Sequence, residues 1–309
     1  MVRVFVTGGG GRLGRYVVNL LLQNGYEVSV LSRDKNIRGC KSVRGTLFDF
    51  DVSDIEGCRY AIHLAGTTDM SLSSSEIYRV NVEGTKSVVE HCAQAGIPHF
   101  TFISSISVYG KKNNPNITEK TALAPDTPYA KSKFQAELVV QGYAGDVCIL
   151  RPSILYGRGF DTGFKMAYER IKNGKMFIFG NGQNHVPLVH AADVANAILL
   201  AVNGNATGVY NVNDEQEMTQ RELIDFVSEL TGAKKRYTHI PLFLARPLLS
   251  VYNVVQKSRG KSIIPSEFVD MLAIDRVVKT DKIRAELGFR NAFPLREGLR
   301  EFVEYLSKG

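Results

Sequence analysis

The chain has 309 residues, of which 44% are hydrophobic and 22% charged. This is an ordinary globular composition that excludes a disordered or fibrous chain and is long enough for one large α/β unit with a second, smaller region. The formal net charge is +7, but Lys and Arg are spread along the chain with short runs only at Lys111-Lys112 and Lys234-Lys235-Arg236, so the excess reads as a solvated face and not as a nucleic-acid footprint.

Residues 2–7 are short, β-branched and apolar, which predicts a buried strand of a parallel sheet. No basic region or cleavage site precedes this strand, which predicts a cytoplasmic protein. Residues 13–22 place Leu13, Val17, Val18, Leu21 and Leu22 at helical spacing. Between strand and helix stands the run Gly8-Gly9-Gly10-Gly11, followed by Arg12, Leu13 and Gly14. In that context Gly8 allows a tight turn, Gly11 a close approach of backbone to a pyrophosphate, and Gly14 a close helix–strand contact. Arg12 and Leu13 open the helix whose N–H groups face the phosphates. The glycines therefore predict a dinucleotide-binding loop.

Further strands are expected at residues 27–32, 43–48, 59–64, 100–104, 147–150 and 208–212, with helices at 73–95, 128–141, 164–172 and 219–230. Thr219 caps the last of these, with Glu222 three residues on. Strands alternating with helices imply an α/β fold, a doubly wound parallel sheet with right-handed crossovers. The reading divides the chain into a dinucleotide-binding domain, residues 1–157 with 186–214 returning to it, and a smaller, mainly helical substrate-binding region, residues 158–185 and 215–309. Residues 240–255 are strongly apolar but short for a membrane span and interrupted by Arg246 and Pro247, so a buried or lid-forming helix is expected, with no transmembrane segment. Cys40, Cys58, Cys92 and Cys148 form no C-x-x-C and do not gather with histidines, so buried reduced thiols are expected, without disulfide or metal.

Ser104-Ser105 ends a strand, and Pro128 to Lys133, PYAKSK, opens a helix. Tyr129 and Lys133 are four apart and share a helical face. A neighbouring ammonium favours a phenolate and brings tyrosine towards the range of a working base, while Ser105 can hydrogen-bond the reacting oxygen.

With these residues in place, the chain resembles the extended short-chain dehydrogenase/reductase family, in its branch of epimerases, dehydratases and reductases. The motifs that carry the resemblance are Thr7-Gly8-x-x-Gly11-x-x-Gly14, His63-Leu64-Ala65-Gly66, Asn81-Val82-Glu83-Gly84-Thr85, Ser104-Ser105-x-x-Val108-Tyr109-Gly110, Tyr129-x-x-x-Lys133, Arg151-Pro152 and Val189-His190-x-x-Asp193-Val194-Ala195. The resemblance implies a Rossmann sheet with Ser105, Tyr129 and Lys133 as catalytic residues. Lys133 would also hold the nicotinamide ribose, Asn81 would orient the active-site backbone, and Pro152 to Ile154 would border the nicotinamide. It implies a homodimer through the helices holding residues 81–95 and 129–141. His63 and His190 belong to structural motifs and are assigned neither metal nor catalysis.

Four departures from the family pattern narrow the reading. Where NAD-preferring members end the second strand on an acidic residue, this chain has Ser32 and then Arg33, which fits a 2′-phosphate and predicts NADP(H), with NAD as the alternative. Asp34 beside it reads as a surface partner of Arg33. Thr46 replaces the usual adenine-contacting Asp, leaving Leu47 and Leu64-Ala65-Gly66 as the adenine wall. Ile106 and Ser107 stand where sugar-nucleotide dehydratases carry Asp-Glu, which argues against dehydration. Val186 stands where nucleotide-sugar enzymes often place an arginine, tilting the reading towards small-ketone reductases. The expected function is hydride transfer between NADP(H) and a secondary alcohol or ketone, Tyr129 moving the proton. The alternatives are a nucleotide-sugar 4-epimerase with tightly held NAD and a non-catalytic dinucleotide-binding protein.

Overall fold

The apolar runs pair into one sheet. In the computed structural model, which describes residues 1–33, 36–235, 237–258 and 274–308, strands β1 (Arg3–Thr7), β2 (Glu27–Ser32), β3 (Lys41–Thr46), β4 (Asp49–Phe50), β5 (Tyr60–His63) and β6 (His99–Ile103) come first. They are followed by β7 (Asn114–Ile117), β8 (Asp146–Pro152), β9 (Ile154–Tyr156), β10 (Met176–Phe179), β11 (Leu188–His190), β12 (Gly208–Val212), β13 (Tyr237–Ile240) and β14 (Arg276–Val278). Asp34, Arg236 and residues 259–273 lie outside the described residues.

Eight strands form a sheet in the order β12-β8-β6-β5-β1-β2-β3-β4, all parallel except the short antiparallel β4. Strand order reverses between β1 and β5, which opens a crevice at their carboxyl ends. Helices α1 (Arg12–Gln23), α2 (Ser74–Tyr78), α3 (Gly84–Gln94), α4 (Pro128–Gln141), α5 (Asp161–Lys172), α6 (Ala191–Asn203), α7 (Gln220–Thr231) and α8 (Leu242–Ser258) follow in chain order, with two more at Asp281–Leu287 and Leu295–Ser307. On one face of the sheet Val17, Val18 and Leu21 of α1 and Val194, Ile198 and Val202 of α6 meet Val4, Val6 and Val30. On the other, Val88 and Cys92 of α3 and Ala136 and Val140 of α4 meet Phe5, Phe100 and Phe102. A third core joins Tyr156, Ile178, Ile224, Leu299 and Phe302 beyond the sheet.

Several expected elements are corrected by long-range pairing. The third strand begins two residues earlier than expected and stops at Thr46, because Gly45, at φ +149°, turns the chain back as β4. The single helix expected at 73–95 is α2, one π turn over Arg79–Glu83, and α3. The C-terminal region, read as mainly helical, contributes β13 to β10 and β14 to β7, two parallel pairs whose partners lie far away in sequence. Thr219 and Glu222 form the expected capping box of α7. Helix α8 runs through Pro247, and of the two expected readings, buried or lid-forming, the buried one fails: Leu249 packs beside Phe179, Ile240 and Tyr252, while Phe243 is 78% exposed and Leu248, Val251 and Val254 also face solvent. Among the described residues no helix is long and apolar enough to cross a membrane. Cys58, Cys92 and Cys148 are buried and Cys40 half-buried, all as free thiols.

Candidate active site

The glycine loop closes onto the crevice because its backbone has no room for side chains. A Cβ at Gly14 would stand 2.1 Å from the Gly8 carbonyl oxygen, and one at Gly8, whose φ is +73°, would stand 2.7 Å from the Ala65 backbone nitrogen. The loop is held by a bond from Gly11 N–H to Gly8 O at 2.9 Å. Gly11 is also the N-cap of α1 and supplies no side-chain acceptor, so first-turn N–H groups remain for an anion. These features fit a pyrophosphate.

A chain of hydrogen bonds ties this loop to its neighbours. Asn81 accepts from Thr67 N–H at 2.7 Å and donates to Thr67 O at 3.0 Å and to Ser132 Oγ at 2.9 Å. Thr85 donates to Asn81 O at 2.6 Å, so its hydroxyl accepts from His63 Nε2 at 2.9 Å, and His63 Nδ1 accepts from Thr7 Oγ1 at 2.6 Å. Burial, with the Lys133 charge as a smaller cause, pushes His63 down to about 3, so this ring is neutral. His190 is likewise buried, stacked on Phe293 and accepting from Ala192 N–H.

Helix α4 starts at Pro128 with Thr127 as its cap, the Thr127 side chain accepting from Ala130 N–H at 3.0 Å. Tyr129, Lys133 and Glu137 then follow at four-residue spacing. Lys133, 7% exposed, donates to Ile103 O at 2.8 Å and lies 4.9 Å from the Phe102 ring centre. Burial lowers it to about 8 against the raising effect of the Glu137 charge. Tyr129 shares a side-chain hydrogen bond with Ser105; burial pushes it up to about 12, and the Ser105 bond opposes that only in part. The expectation that Lys133 brings the tyrosine down towards neutrality is thus corrected: its ammonium is spent on Ile103 O, and burial dominates.

Sequence reasoning missed the group beneath. Glu137, 1% exposed, takes both Arg151 Nε at 2.9 Å and Nη2 at 2.6 Å, together with the Ser104 hydroxyl. Arg151 Nη1 donates to the Tyr109 hydroxyl at 2.9 Å, which donates to Asn211 Oδ1 at 2.7 Å. Burial acts to lower Arg151, but the Glu137 bond and charge outweigh it and leave the guanidinium firmly charged. The available signals were the next residue in the Tyr129–Lys133 series and the arginine of Arg151-Pro152.

A cavity of about 550 Å³ brings together Gly8, Gly11, Arg12, Leu13, Gly14, Leu64, Ala65, Gly66, Ser105, Tyr129, Lys133, Pro152 and Ile154. Ser107, Asp126, Phe160 and Arg276, which the sequence reading did not assign to the site, also line it. Ser32, Arg33, Leu47 and Asn81 do not: Arg33 is exposed past the end of β2, Leu47 packs beside Gly84, and Asn81 braces the wall from behind. Val186 is buried in the third core. Among the described residues no cluster of His, Cys, Asp and Glu could hold a metal ion.

The family described as NAD dependent epimerase/dehydratase matches residues 4–213. Curated relatives include a sterol-4-alpha-carboxylate 3-dehydrogenase, decarboxylating, of Dictyostelium discoideum, 25% identical over 97% of this chain and 100% of that one. A dTDP-D-glucose 4,6-dehydratase of Mus musculus is 26% identical over 99% of this chain and 89% of its own. In fold, the chain is similar to the structure described as MoeE5 in complex with UDP-glucuronic acid and NAD, with a TM-score of 0.79 at 24% identity, covering 99% of both chains.

Proposed function

The chain belongs to the NAD dependent epimerase/dehydratase family and is an enzyme of the extended short-chain dehydrogenase/reductase type, and from that premise we propose that it interconverts a secondary alcohol and a ketone with NADP(H). The observation that carries this reading is the meeting of Ser105, Tyr129 and Lys133 in one cavity with the glycine loop. Gly8, Gly11 and the opening of α1 would hold the pyrophosphate, and Lys133, beside Gly66, would hold the ribose. When bound, the nicotinamide supplies or takes up the hydride.

Tyr129 does the proton work. Pushed up to about 12, its phenol keeps its proton at neutral pH and gives it to the oxygen of the reduced carbonyl. Ser105, which shares a hydrogen bond with that hydroxyl in the free site, would turn its single O–H from the phenol to the same substrate oxygen. Lys133, at about 8, is mainly cationic near neutrality and keeps that charge in the cavity beside Gly66. Preference for NADP(H) rests on Ser32 and exposed Arg33, which stand where NAD-preferring members end the second strand on an acidic residue. Residues 158–185 and 215–309 serve as the substrate region, and exposed Leu138, on α4, supports a homodimer through the helices of residues 81–95 and 129–141.

A second reading, a sugar-nucleotide epimerase with retained NAD, is supported by the family description, NAD dependent epimerase/dehydratase. The test is a screen of ketones and nucleotide sugars with wild type and Tyr129→Phe. Net change of nicotinamide absorbance marks a reductase, whereas product without net change marks the epimerase. Tyr129→Phe should lose about 100-fold or more in turnover with cofactor affinity retained; unchanged turnover sinks the mechanism.

A further inference from the structure

Helix α8 turns an apolar face to solvent. At 3.6 residues per turn, Phe243, Leu244, Leu248, Val251, Val254 and Val255 fall on one side of the helix, within an arc of roughly 140°. All six are exposed, Val251 at 65% and Val254 at 70%. On the opposite side Leu249 packs beside Phe179, Ile240 and Tyr252, which fastens the helix to β10 and β13. The exposed apolar surface continues onto β10. Phe177 and Phe179 point to the same face of that strand, away from the buried Ile178, and Phe177 is exposed with the Arg170 guanidinium 5.3 Å from its ring centre. A folded domain seldom leaves a contiguous group of large apolar side chains in water unless a partner covers it.

The charge of this part of the chain narrows the partner. Lys and Arg are spread along the sequence, but Asp and Glu are not: residues 230–266 contain seven Lys and Arg and no Asp or Glu. The whole chain carries a net charge of +7, so outside this stretch the two signs balance. Lys235 is held by Glu229 at 2.7 Å, just before the acid-free run begins. A second copy of the chain would bring the same positive charge to the same face and be repelled. An apolar helix face within a basic, acid-free stretch is instead complementary to a surface that is apolar inside and anionic outside, which is a bilayer carrying acidic lipids. At 17 residues α8 is about 25 Å long, short of a hydrocarbon core of about 30 Å, and among the described residues no helix is long and apolar enough to cross a membrane. It can lie along such a surface and cannot span it.

We propose that α8 docks this protein on an anionic membrane surface, its Phe243 to Val255 face set among the acyl chains and the positive charge of residues 230–266 attracted to acidic headgroups. This docking is separate from the reaction catalysed and is read without substrate.

The experiment floats the full chain with vesicles of phosphatidylcholine, either pure or mixed with an equal part of phosphatidylglycerol. Wild type should bind the mixed vesicles about tenfold or more tightly than the pure ones, and salt raised to about 0.5 M should remove most of the difference. Phe243→Ser with Val254→Ser should weaken binding to the mixed vesicles about tenfold or more. Both side chains are exposed, so circular dichroism and thermal melting of this variant should match wild type. If they do not, Val251→Ser replaces it, with an expected loss of at least about threefold. No binding of wild type to the mixed vesicles, equal binding to both kinds, or undiminished binding by the folded variant overturns the proposal. Wild type that ignores vesicles but falls in mass on light scattering when the face is substituted also overturns it, in favour of a second copy of the chain.

Discussion

Replacing Arg151 by Met leaves Glu137 buried with the Ser104 hydroxyl as its remaining side-chain donor. The pair is 4% and 1% exposed at the side chains, so water cannot replace the lost bonds. Breaking one partner of such a pair costs about 3–5 kcal/mol, against a total stability of roughly 5–15 kcal/mol. Removing both charges in Glu137→Leu with Arg151→Met relieves the uncompensated carboxylate and should leave a loss no larger than that of Arg151→Met alone, so that with single losses of about 3–5 kcal/mol each the coupling energy is about 3 kcal/mol or more. Tyr109 keeps its bond to Asn211, so the network loses one end and does not collapse. Urea unfolding followed by circular dichroism measures all four proteins. A double variant that loses the sum of the two single losses would refute the reasoning. The same carboxylate raises Lys133, so in Glu137→Gln the lysine should fall further below its ordinary value and the alkaline limb of activity should move to lower pH.

Gly14→Ala places a Cβ against the Gly8 carbonyl oxygen. It should weaken NADPH binding about 100-fold or unfold the loop, and unchanged binding in a fluorescence titration contradicts the cradle. His63, held down at about 3 in the folded chain against 6.5 in the unfolded one, contributes stability that is complete above pH 6.5 and is lost as pH falls towards 3. At pH 4.5 that loss amounts to roughly 2–3 kcal/mol, and His63→Gln should flatten this acid limb in unfolding experiments. Arg33→Ala should weaken NADPH about tenfold while sparing NADH; equal effects on the two nucleotides remove the basis for NADP(H).

What sequence could show depended on how far apart the partners lie. The strand, glycine run and helix at residues 3–23 are contiguous, and their mutual fit is local chemistry. Tyr129 and Lys133 were readable because a helix turns four residues into neighbours. Glu137 continues that series, but its meaning depends on Arg151 of β8, and that pairing exists only once α4 lies on the sheet. Arg276 was out of reach because β14 pairs with β7 across more than half the chain, with a register shift. Gly45 shows the opposite error, where an apolar run past the glycine read as strand although the chain folds back. The apolar residues of α8 read as buried because composition reports hydrophobicity and not which neighbours arrive to cover it.

A nicotinamide dinucleotide seated beside Tyr129, in the cavity between β1 and β5, would come away on denaturation. The most direct measurement denatures the freshly purified protein, identifies any released nucleotide by mass spectrometry, and then titrates the emptied or exchanged protein with NADPH and NADH. The expected result is a site that takes up NADPH in preference to NADH and exchanges it freely. A protein that releases no nicotinamide nucleotide and binds neither form would contradict it.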